Sequence, residues 1–145
     1  MCDRVDVSAQ RGFTLIELIS VLVLISVLSI SLASRFNSVT TNASVQSGRD
    51  DLIAALFFAQ QTAMARSTGS NIQLVVSSST VTVTESGVPI VISKQAYPLS
   101  FPTGVTATTG TFTYDKLGHT TAGTITLSKS GTSATVTIEA TGYAH

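Results

Sequence analysis

The strongest constraint on this chain lies close to its start. Residues 13–33 read FTLIELISVLVLISVLSISLA, a run whose only charge is Glu17 and which holds neither proline nor glycine. At about 1.5 Å per residue, a helix through it covers about 30 Å, the thickness of a bilayer's hydrocarbon core. A chain of 145 residues has mass for one modest domain and too little to bury such a helix on every side. The run is therefore read as a single membrane span. Charged residues make up only 11% of the chain, against about 25% in ordinary soluble domains. Eight Lys plus Arg balance eight Asp plus Glu, so no net field steers the chain toward a polyanion.

A carboxylate costs about 2.5–3.5 kcal/mol at the centre of a membrane and less near its edge, where Glu17 falls. Two readings of Glu17 follow: it snorkels to the interface or is protonated by desolvation, or it has a function that justifies the cost. Its neighbours bear on the choice. Arg11-Gly12 stands just ahead of the span, and Gly12-Phe13-Thr14-Leu15-Ile16-Glu17-Leu18 opens it. This string resembles the type IV pilin-like signature. The resemblance implies a leader, residues 1–12, removed between Gly12 and Phe13 by a membrane-embedded prepilin peptidase that also methylates the new amino terminus on Phe13. It implies that Glu17 meets the amine of a neighbouring pilin or pseudopilin subunit, two charges neutralising each other in an apolar bundle and setting the register of assembly. It also implies an inner-membrane, single-pass precursor with a periplasmic C-terminal domain, later built into a pilus or pseudopilus. Glycine at the scissile position lets a protease approach the backbone closely.

The chain departs from the family in three places. The leader carries Asp3 and Asp6 beside Arg4 and Arg11, so its orientation signal is weak. Where major pilins often have a kinking proline, this chain reads Ser31-Leu32-Ala33-Ser34, and less kinking is expected. The sole cysteine, Cys2, would leave with the leader, so the mature chain would hold no disulfide, which leans toward minor pilins and pseudopilins. No apolar stretch ending in small residues precedes Cys2, which argues against lipidation.

Residues 35–48 are polar and rich in Ser, Thr and Asn, and a second helical pattern begins near Arg49. Leu52, Ile53, Leu56, Phe57, Ala59, Ala63 and Met64 recur at spacings of three and four, which predicts one apolar stripe. Asp50 and Asp51 suit a first turn, while Arg66 and Gly69 suit a last turn and cap, with the helix stopping near Thr68. From Asn71 the period changes to 2: Ile72, Leu74 and Val76; Val81 and Val83; Ile90 and Ile92; Phe112 and Tyr114; Ile125 and Leu127; Val136 and Ile138. These are antiparallel strands with one apolar face each, and turns are expected within 115–123 and 129–131. Residues 93–111, with Pro98, Pro102 and Gly104, read as a long loop or an edge strand.

The predicted class is thus α+β. The expected layout is a leader at 1–12, a transmembrane and filament-core helix at 13–34, its polar-to-amphipathic continuation at 35–68, and a periplasmic β-domain at 69–145. The same order of parts is the general pilin architecture. Segment 52–68, ending Gln61-Thr62-Ala63-Met64-Ala65-Arg66, and the string Phe112-Thr113-Tyr114-Asp115-Lys116-Leu117-Gly118 look like the pseudopilin H and FimT-like group of minor pilins.

Nothing in the sequence assembles an enzyme site: there is no G-x-S-x-G, P-loop, H-E-x-x-H or cysteine pair, and no cofactor is expected. His119 and His145 are far apart and do not suggest a metal site, and His119 beside Gly118 reads as loop decoration. Lys94, Lys116 and Lys129 would offer few phosphate contacts even on one face, so nucleic acid is not an expected partner. A competing reading takes the front as an ordinary signal peptide cut after Ala33, releasing a secreted, adhesin-like β-domain. The length of the run, Glu17 inside it and the absence of net positive charge ahead of it weigh against that reading.

Overall fold

The computed structural model describes residues 13–66, 71–92 and 95–145, apart from the side chains at 30–36, 92, 95 and 96. The leader 1–12, with Cys2 and Gly12, lies outside the described residues, as do Gly69 and Lys94. The chain divides into two compact units, one ending at Ser38 and the other spanning Val39–His145.

One helix, α1 (Leu15–Ala65), contributes to both units. It runs unbroken through the polar stretch 35–48, as a helix continuing over 35–68 requires, and makes no fresh start near Arg49. Ser and Thr there do not end the helix, because a hydroxyl can bond back to a carbonyl one turn earlier; Ser44 Oγ donates to Thr40 O at 2.8 Å. Asp50 and Asp51 consequently lie deep inside α1, where no exposed amides greet them, and their proposed first-turn role is overturned. Burial and the neighbouring Asp50 instead push the Asp51 carboxyl above its usual range. The helix ends at Ala65 with no basic residue in its last turn. Arg66 pairs with Glu85 at 3.1 Å rather than capping the helix. Among the described residues no helix is long and apolar enough to cross a membrane. The span expected over 13–33 runs on into 30–33, whose side chains lie outside the described residues.

Among the described residues ten short strands follow: β1 (Ile72–Val76), β2 (Thr80–Glu85), β3 (Val88–Pro89), β4 (Val91–Ile92), β5 (Gln95–Ala96), β6 (Leu99–Ser100), β7 (Thr106–Ala107), β8 (Gly110–Tyr114), β9 (Gly123–Lys129) and β10 (Thr132–Ile138). All pairings are antiparallel. One sheet has the order β3-β2-β1-β8, with β6 also on β2; a second has the order β10-β9-β7; β4 and β5 form a small hairpin. The fold is therefore α+β, a helix packed on antiparallel sheets. Residues 93–111, expected as a loop or an edge, supply β5, β6, β7 and the start of β8.

Period-2 alternation puts the expected side chains inside: Ile72, Leu74, Val76, Val81, Val83, Phe112, Tyr114, Ile125, Leu127, Val136 and Ile138 are all buried. Facing them from α1 are Val45, Leu52, Ala55, Leu56, Ala59 and Ala63. The expected stripe is corrected at two places. Phe57 and Met64 are 42% and 46% exposed, because each follows a buried residue by one step and is turned about 100° from it. Gly48 sits on the buried line, where a Cβ would lie 3.1 Å from Leu127 Cδ2. The helix gives up about 1 kcal/mol of propensity there and gains close approach of β9.

Two hairpins close on Ser-Gly pairs with positive φ at both residues, Ser86-Gly87 (52° and 84°) and Ser130-Gly131 (48° and 82°). This is the twist-matched two-residue turn of antiparallel hairpins. The sheets meet where glycines make room for Phe112: a Cβ on Gly123 would stand 2.9 Å from its ring and one on Gly110 3.3 Å from it. Gln60 Nε2 donates to Gly118 O at 3.2 Å and to Thr141 O at 3.1 Å, tying the β8–β9 loop and the C-terminal turn to α1. At the other end of this unit Lys129 Nζ donates to Ser44 Oγ at 3.1 Å.

Candidate functional site

The start of α1 holds the residues that the sequence singled out. Phe13 and Thr14 precede the helix, which begins at Leu15. Thr14 is its N-cap: Thr14 Oγ1 accepts the Glu17 N–H at 3.3 Å, and Thr14 O accepts from Glu17 N at 3.1 Å and Leu18 N at 3.2 Å. The spacing Thr14-x-x-Glu17 is that of a capping box, a signal present in the sequence but not drawn from it above. The Thr14 half of the box is formed. Among the described residues the Glu17 carboxylate has no hydrogen-bond or ion-pair partner, and Glu17 is exposed. It lies in the first turn, where the helix dipole favours negative charge.

From Leu18 to Leu28 the helix is apolar all round and uncovered. Every large apolar side chain from Phe13 to Leu28 is exposed, from 85% at Phe13 to 46% at Val21. The serines within this stretch satisfy themselves: Ser20 Oγ donates to Ile16 O at 2.8 Å, Ser26 Oγ to Leu22 O at 2.7 Å and Ser29 Oγ to Ile25 O at 2.7 Å. With its hydroxyls bonded inward, the stretch presents an almost purely hydrocarbon surface apart from Glu17. Fully covering a Leu, Ile, Val or Phe side chain is worth about 1.5–3 kcal/mol relative to water, so exposure along this whole length demands a partner phase or partner helices.

Residues 7–33 match the prokaryotic N-terminal methylation motif. No curated protein and no solved structure matches the chain. The motif covers Gly12, Phe13, Thr14 and Glu17 together and supports a type IV pilin-type subunit, processed by a prepilin peptidase and assembled with other pilins. It points to a structural subunit rather than an enzyme.

The other titratable groups are dispersed. Asp115 organises the β8–β9 loop: its Oδ1 accepts from Leu117 N at 2.9 Å and His119 N at 2.8 Å, and its Oδ2 lies 3.5 Å from His119 Nδ1. His145 stacks on Tyr143 with ring centroids 5.5 Å apart. Among the described residues no three His, Cys, Asp or Glu side chains converge as a metal site would require. Lys116 and Lys129 do not share a patch. Lys129 is held at Ser44 and Lys116 lies two residues from Gly118, which is bonded to Gln60, about 24 Å further along α1. Among the described residues, a cleft lined by Arg66, Glu85 and residues 88–91 has the Arg66–Glu85 pair as its charged groups.

Proposed function

We propose that this chain is a minor pilin or pseudopilin, a structural subunit that assembles into, or initiates, a type IV pilus or a type II secretion pseudopilus. The carrying observation is the coincidence of the methylation motif with an exposed Glu17, without a carboxylate partner among the described residues, in the first turn of a helix whose large apolar side chains through Leu28 are exposed. The leader 1–12 is hydrolysed from the chain at Gly12–Phe13, leaving an ammonium on Phe13 that is then methylated. Until assembly, residues 13–34 hold the subunit in the inner membrane with the β-domain in the periplasm. In the filament that helix exchanges lipid for neighbouring helices, and Glu17 pairs with the Phe13 amine of an adjacent subunit, fixing axial register. The likeness of 52–68 and 112–118 to the pseudopilin H and FimT-like group, which includes the minor pilin of the mannose-sensitive haemagglutinin pilus, supports the minor class.

The helical course of α1 through residues 33 and 34 favours this reading over signal-peptide cleavage after Ala33, since proteases take extended backbone. Intact-mass and N-terminal analysis of the chain made in a host with prepilin peptidase tests it. A methylated Phe13 terminus is expected; a terminus at Ser34, or an uncut precursor, would overturn it.

A further inference from the structure

We draw no further inference here: the strongest candidate, the exposed apolar patch of Met64, Leu117 and Tyr143 around the Gln60 side chain at the end of α1, carries nothing because nothing in the structure shows what covers it.

Discussion

The Glu17 carboxylate and the Tyr114 hydroxyl both lack partners among the described residues, in opposite surroundings. Glu17 is exposed beside apolar side chains, and its charge has a use only when another chain supplies the counter-charge. Glu17→Gln keeps the size and removes the charge. The variant is expected to leave the Val39–His145 unit folded and to lower incorporation into fibres about ten-fold or more, since a lost charge pair of about 1.5–3 kcal/mol is that large a factor. Sheared-fibre yields compared with total cellular protein provide the measurement, and equal incorporation would remove Glu17 from the assembly step. Tyr114 is buried, and among the described residues its hydroxyl has no hydrogen-bond partner. Burial pushes its pKa up from the ordinary 10.0 to about 12, and burial also raises that of Tyr97. The folded state therefore holds these protons more tightly than the unfolded chain. That stability is fully present below about pH 10 and is lost as pH rises toward about 12. Tyr114→Phe is expected to flatten the decline in urea midpoint across that window. At pH 7 it should be neutral or stabilising by about 1 kcal/mol, because no partner is orphaned.

Among the elements, the β9–β10 hairpin offers a clean test of backbone cost. Gly131 has φ of 82° and nothing within 4 Å of a Cβ position, so Gly131→Ala changes only conformational strain. A loss of about 1–2 kcal/mol is expected from urea unfolding, and a loss below a few tenths would mean that the turn relaxes. The strands were legible in the sequence because alternation states burial directly, and each apolar pair from Ile72 to Ile138 that the structure describes lies inside, save Ile90, which is half-buried between β3 and β4. The continuation of α1 into 35–68 was legible, but not that it passes Asp50 and Asp51 without a new first turn. Ser, Thr and Asn at 35–48 have low intrinsic helix preference, and only local back-bonding and the packing of Val45 and Gly48 on the β-domain decide for helix. The role of Arg66 was missed for a similar reason, since Glu85 is distant in sequence and reaches it through the return of β2. That half-exposed pair is worth at most about 1 kcal/mol. The division into two main sheets was equally hidden, for it depends on Phe112 filling space that Gly110 and Gly123 leave open.

For the whole molecule, the two units divide the physical demands. Val39–His145 has its own core, drawn from α1 and both main sheets, whereas the described side chains from Phe13 to Leu28 in the first unit are exposed hydrocarbon. A fragment spanning Val39–His145 is expected to fold cooperatively and stay monomeric in aqueous buffer, while the longer chain requires detergent. Calorimetry and light scattering measure both outcomes. Of the site, the positions of Phe13 and Glu17 could be read from the motif alone, but that the Glu17 carboxylate has no partner among the described residues required the fold. Gln60 and Lys129 carry a last consequence. Gln60 is bonded to residues 118 and 141 and Lys129 to Ser44, so both fastenings of the helix's second half form late in synthesis, after β1 and β2 of the same core have emerged. Until its final residues emerge the nascent chain carries the seam along Leu52 and Leu56 partly open, and a stop codon shortly before Thr141 should turn a stable product into a substrate for quality-control proteases.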